Sequence, residues 1–323
     1  MTDSTFHAPP SEAGTVAQAE VAQGEVNSNG ARPVTVAERI SSIDVLRGFA
    51  LLGILLMNID FALPHWNPIA VGDSTALNVA AWTVNSVLFE GTMRAIFSML
   101  FGAGVVLLTR RAEARGGQAT IADIYYRRVL WLLLFGVIHA YVLLWHFDIL
   151  YWYGLVGLFL FPLRKWSPKA LLIAGALALA VFVPKSVLSY QEQQTLRAEA
   201  AKADAAAAAG ESLTEEQKAA QKKWAKKLKA SEPDPKKIQK KIEKRRSGYW
   251  ANFTKSAPLN IKGQSKEFYL WGFWDSAGMM LLGMGLLKLT VFSATRSIRF
   301  YVVMAAVGYG IGLRYGQMLW IWV

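Results

Sequence analysis

Residues 43–63 read IDVLRGFALLGILLMNIDFAL, and this run decides the fold. As a helix of 1.5 Å rise per residue it is ~31 Å long, about the thickness of a bilayer's hydrocarbon core. No small-residue cleavage site follows it, so it reads as a span that stays and not as a signal peptide. Similar apolar runs lie near 92–109, 129–146, 149–163, 169–189, 268–289 and 300–322, each bounded by Arg or Lys, Pro or aromatic residues. Seven runs predict an all-α, polytopic integral membrane protein. The less apolar stretch Asn78 to Phe89 is expected to lie along the interface or to top the second span.

Composition agrees with that solvent. The 323 residues are 53% hydrophobic and only 18% charged, with a mean hydropathy of +0.26, which excludes an ordinary soluble enzyme. The net charge is +12, but residues 191–267 hold 18 Lys/Arg against 10 Asp/Glu, a net of +8. A nucleic-acid partner is therefore not expected, because the basicity is concentrated in one segment and at helix ends. The chain has no cysteine, and its histidines are scattered at His7, His65, His139 and His146. Neither a disulfide nor a metal centre is expected.

Four regions follow. Residues 1–40 are polar and aperiodic and read as a disordered cytoplasmic tail. Residues 41–190 carry spans one to five, 191–267 a Lys/Ala-rich extracytoplasmic insertion, and 268–323 spans six and seven. Orientation comes from the short connections, which hold Arg39, Arg47, Arg110, Arg111, Arg115, Arg127, Arg128, Arg164, Lys165, Lys169, Lys288, Arg296 and Arg299 on one side. The opposite short loops, Pro64 to Ala76 and Trp145 to Asp148, hold no Lys or Arg. The N-terminus is thus expected in the cytoplasm of a bacterial inner membrane. Within the insertion, Ser212 and Glu215 have capping-box spacing.

Ionisable groups inside hydrocarbon cost a few kcal/mol each unless they find a partner or water, so they mark candidate sites. Asp44 and Arg47 are three apart and share a helical face; they read either as an interfacial pair or as a notch for the phosphates of an anionic cofactor. Glu90 and Arg94, four apart, can pair on entry to the second span, with Arg94 deep enough for a buried bridge. His139 is expected near mid-depth of the third span, with His146 seven residues on and Asp148 placed to orient an imidazole. His65 stands in the outer loop after Asn58 and Asp60. Asp275 and Arg314 are opposite charges on the last two spans. The glycines Gly308, Gly312 and Gly316 read as helix packing.

The run from Arg39 to Ile59 closely resembles the opening of the YeiB-like bacterial membrane proteins, the domain-of-unknown-function 418 group. Phe89 to Gly104, Gly136 to Gly157 and Asp275 to Leu286 also look like that family, so the resemblance covers roughly 39–190 and 268–323. The opening helix is similar to that of transmembrane acyltransferases, including the heparan-glucosaminide acetyltransferase and acyltransferase-3 groups. That wider resemblance implies transfer of an acyl group from cytoplasmic acyl-CoA, such as acetyl-CoA, to an extracytoplasmic saccharide or other polar acceptor. It implies no metal. His65-Trp66-Asn67 looks similar to the active-histidine loop of the heparan group, whereas a histidine at the position of His139 is typical of YeiB-like chains. Either is a candidate general base, Asp148 or Glu90 its orienting carboxylate, Asp44, Arg47 and Arg94 candidate donor-binding groups, and Asn58 an oxyanion donor. The insertion and the ending at Trp322-Val323 both depart from the family, whose members continue with further spans. The alternative is a transporter or export component with a proton path through Glu90, His139, Asp148 and Asp275. Membrane lipids are the expected surroundings, and homo-oligomerisation is left open.

Overall fold

The computed structural model describes residues 41–62, 75–89, 91–114, 118–145, 148–181, 183–231 and 234–319. Among these residues the fold is all-helical. The helices are α1 (Ser41–Ala62), α2 (Ala76–Val84, continuing into a π turn Asn85–Phe89), α3 (Thr92–Ala114), α4 (Gln118–Tyr141), α5 (Ile149–Leu163), α6 (Pro168–Ala180) and α7 (Val183–Ala208). They are followed by α8 (Glu215–Ser231), α9 (Pro235–Arg246), α10 (Tyr249–Lys262), α11 (Phe273–Lys288) and α12 (Ile298–Leu319). A wide π segment, Gly263–Gly272, joins α10 to α11 into one rod.

Local sequence sets several of these boundaries. Asp148 caps α5 by accepting from the Tyr151 amide, and Ser167 caps α6 by accepting from Ala170, with Pro168 in the first turn where its missing N–H costs nothing. Helix α8 starts at Glu215, so its capping box is Thr214 with Gln217, each side chain accepting from the other's backbone N–H. The Ser212 and Glu215 pairing expected from the sequence therefore does not form the cap: the helix begins too late for Ser212 to reach its first turn.

Helix α11 is the centre of the core, packed against α3 on one side and α6 on the other, while α4 packs on α5 and α1 on α3. Met280, Met284, Leu100, Val106, Leu171, Val156 and Leu160 are all fully buried there. The α3–α11 crossing is set by two glycines. A Cβ on Gly102 would strike the Met280 carbonyl, and one on Gly283 would strike the Met99 carbonyl, so the two backbones touch as small-residue packing allows. Helices α7 and α8 form a separate antiparallel pair closed by Ala200, Ala203 and Ala220.

Outward faces are apolar too. Val45, Leu51, Leu52 and Leu55 on α1, Leu130, Trp131 and Phe135 on α4, and Ile298, Val302 and Val303 on α12 are more than half exposed. Among the described residues, Thr92–Arg110 and Tyr249–Lys288 are long and apolar enough to cross a membrane; Ile149–Leu163, Pro168–Ala180 and Ile298–Gly310 are apolar but shorter.

Three expected spans shift. The run placed at 129–146 belongs to a helix that starts at Gln118 and stops at Tyr141, because the Leu143 and Trp145 amides fold back to the Ile138 and His139 carbonyls with Leu144 left-handed at φ 58°. The run at 169–189 breaks between Ala180 and Val183, and α7 carries it past residue 191 into the insertion. The rod leading into the sixth run begins at Tyr249, inside the segment assigned to the insertion.

Candidate functional site

The bundle has a basic end, with Arg47, Arg164 and Lys288, and an end with the pairs His139–Asp148 and Arg94–Asp275. The first residues of α5 organise the second. Asp148 precedes the helix with its side chain only 3% exposed. Its Oδ2 accepts from the Tyr151 amide at 2.8 Å, and its Oδ1 lies 2.7 Å from His139 Nδ1. A carboxylate only accepts, so Nδ1 carries the proton, and in the neutral form of the ring the lone pair is on Nε2. The His139 ring stacks on Trp145, with centroids 6.1 Å apart and planes within 19°. Its side chain remains 34% exposed, and Nε2 has no partner among the described residues. Because α4 stops at Tyr141, His139 is in its last turn and not near the middle of the helix. There the last helix carbonyls have no partner within α4 itself.

Those carbonyls would be orphans, and a distant helix satisfies them. Asn260 Nδ2, from α10, donates to the Ala140 carbonyl, and the Tyr249 hydroxyl donates to Val142 at 3.0 Å. The Oδ1 of Asn260 is buried with no partner among the described residues. It borders a cleft of about 10 Å³, roughly one water in size, lined by Ala140, Trp145, Asp148, Trp152, Gly263 and Gln264 as well.

Five residues after Asp148, Tyr153 on α5 belongs to a second cluster. Arg94 on α3 forms a two-pronged ion pair with Asp275 in the first turn of α11. Ser98 Oγ donates to the Arg94 carbonyl at 2.8 Å and is hydrogen-bonded to the Tyr153 hydroxyl. Ser98 and Tyr153 are fully buried, and Phe97 and Phe101 flank the tyrosine ring. The ion pair itself stays partly open, with Arg94 34% and Asp275 25% exposed.

At the basic end, Arg47 is 4.0 Å from Asp44, and its guanidinium lies over Gly104 of α3. Arg164 stacks 3.8 Å above the Phe161 ring, and Lys288 donates to the Arg164 and Trp166 carbonyls at 2.6 Å each. Gly104 is ten residues from Arg94 on α3, about 15 Å along the axis.

The structure thus joins His139 to Asp148 and Asp44 to Arg47, and gives Arg94 the partner Asp275. Asn58 is half-buried on α1, whose main neighbour is α3. His65, Glu90, His146 and the side chain of Arg314 lie outside the described residues, as does the 1–40 segment. Asn260, Trp145, Ser98 and Tyr153 were missed. The available signal for Asn260 was an amide in a stretch that alternates with Phe253, Leu259 and Ile261, but nearby lysines made that stretch read as solvated.

Three curated relatives share this sequence pattern in part. Uncharacterized protein YxaH of Bacillus subtilis is 36% identical over 170 residues, 50% of this chain and 42% of that protein. An uncharacterized 39.9 kDa protein in the amylase 3' region of Bacillus acidopullulyticus is 35% identical over 154 residues, 46% of this chain and 40% of that protein. Uncharacterized protein YeiB of Escherichia coli is 37% identical over 136 residues, 41% of this chain and 33% of that protein. The chain is similar to YeiB-like proteins. The match spans less than half the length of each of these YeiB-like relatives. No family model matches the chain, and no solved structure does.

Proposed function

We propose that the chain is a polytopic protein of a bacterial inner membrane, with its N-terminus cytoplasmic, that moves an acyl group from acyl-CoA to a polar acceptor on the far side. The observation that carries this reading is the His139–Asp148 pair. A carboxylate fixed at both oxygens holds an imidazole by Nδ1, at the end of the bundle opposite the basic one. Nε2 takes the proton of an acceptor hydroxyl or amine as that atom attacks the thioester carbonyl; the acyl bond forms, the C–S bond breaks, and the proton passes to the leaving thiolate. Asp148 stays ionised and supports the imidazolium.

The apolar outer faces of α1, α4 and α12 meet lipid tails in this arrangement, and the basic end faces the cytoplasm by the positive-inside rule. Arg47, with Arg94 about 15 Å further along α3, offers guanidinium donors on the donor's route. No metal is required: a thioester needs orientation, a base and hydrogen-bond donors.

The test uses purified full-length protein, radiolabelled acetyl-CoA and a panel of mono- and oligosaccharides. Label recovered in an acceptor supports the reading. Proton-linked solute uptake into proteoliposomes without any CoA, together with no label transfer, contradicts it and favours the transport reading, to which the partly open Arg94–Asp275 pair between two helices lends itself.

A further inference from the structure

Helix α9 carries seven basic side chains and one acidic one in twelve residues. Lys236, Lys240 and Lys244 repeat at four-residue intervals and are all exposed, so like charges stack along one face, an arrangement that destabilises a helix without a counter-anion. The acidic residue, Glu243, accepts from Gln239 one turn earlier. Arg245 and Arg246 extend the exposed charge to the end of the helix. Immediately after it comes an aromatic cluster: Tyr249, Trp250 and Phe253 have ring centroids 5.4 to 6.5 Å apart, and Trp250 is 74% exposed.

This junction is fixed in place. Asn252 Nδ2 donates to the Arg245 and Gly248 carbonyls, and the Tyr249 hydroxyl donates to Val142 just past the end of α4. The cations and the open indole are therefore held level with the point where an apolar helix stops.

We propose that α9 and the start of α10 form a docking surface for the headgroups of anionic phospholipid. Lysine and arginine bind the phosphodiester, and Trp250 and Tyr249 sit at headgroup depth, where a ring with one apolar and one wet side is most stable. A soluble polyanion would use the cations but leave the exposed indole without a role. The proposal rests on the membrane reading above and is independent of acyl transfer.

The chain has no cysteine, so a nitroxide on Ser247→Cys reports from one position only. The labelled full-length protein is placed in nanodiscs of phosphatidylcholine, or of phosphatidylcholine with one third phosphatidylglycerol, and collision with a water-soluble relaxation agent is measured. The expected result is a several-fold lower collision rate in the anionic discs, restored at about 1 M salt, where the Debye length is ~3 Å. The protection is expected to disappear when Lys240, Lys244, Arg245 and Arg246 are replaced by Gln and to persist when Lys240 and Lys244 are replaced by Arg. Equal collision rates in the two discs overturn the proposal, as does equal protection by dextran sulfate in neutral discs. Failure of the chain to enter discs at all sinks the membrane reading and this proposal with it, whereas entry without lipid dependence sinks this proposal alone.

Discussion

Replacing Asp275 by Asn keeps its shape and removes its charge, leaving the Arg94 guanidinium between α3 and α11 without its counter-ion. The size of the effect follows from exposure. An exposed ion pair is worth about 0.2–1 kcal/mol, and removing one partner of a fully buried pair costs about 3–5 kcal/mol. With Arg94 34% and Asp275 25% exposed, the pair lies between these limits, so Asp275→Asn is expected to cost roughly 1.5–3 kcal/mol. Arg94→Met should cost a similar amount, while the double variant should cost less than the two together, with a coupling of about 1–2 kcal/mol. Thermal unfolding of the detergent-solubilised protein reads this as a fall of about 2–4 °C per kcal/mol, taking the upper size class of single domains as the guide. Single-variant losses that add within about 0.5 kcal/mol would refute the claim that these side chains act as a pair.

Other outcomes test the packing and the caps. Gly102→Leu or Gly283→Leu forces side-chain atoms into the Met280 or Met99 backbone; each should cost more than the usual ~1–3 kcal/mol of overpacking, because backbone must move, and should abolish a cooperative melting transition. Asn260→Leu removes the donor to the Ala140 carbonyl and should destabilise by about 1–3 kcal/mol, with faster amide hydrogen exchange in the last turn of α4. Tyr153→Phe deletes the hydroxyl bonded to Ser98 while keeping the ring stack; a loss of about 1 kcal/mol is expected, because Ser98 retains the Arg94 carbonyl.

What the sequence made legible was local. The apolar run after Ser41 is helix α1, Asp148 and Ser167 with Pro168 mark helix starts, and Asp44 with Arg47 meet at the three-residue spacing that predicts it. His139 and Asp148 could be paired on paper because only nine positions separate them. The rest depended on contacts that spacing does not encode. Arg94 and Asp275 are 181 positions apart. The rod from Tyr249 was hidden by Lys262, Lys266 and Glu267, which lower hydropathy across the π segment without ending the helix. The place of His139 along its helix was not legible, because an apolar run shows where hydrocarbon contact is tolerated, whereas the stop at Tyr141 is set by backbone amides turning back at Leu143 and Trp145.

The central claim is that His139, held by Asp148, is the base. The rate of acetyl transfer from acetyl-CoA by His139→Gln, compared with wild type at equal folded protein, tests it directly. A general base contributes about 10²–10⁴-fold, so the account predicts a loss in that range, and a substantial loss in Asp148→Asn, whose amide cannot hold the same tautomer. Transfer at the wild-type rate by folded His139→Gln would contradict it.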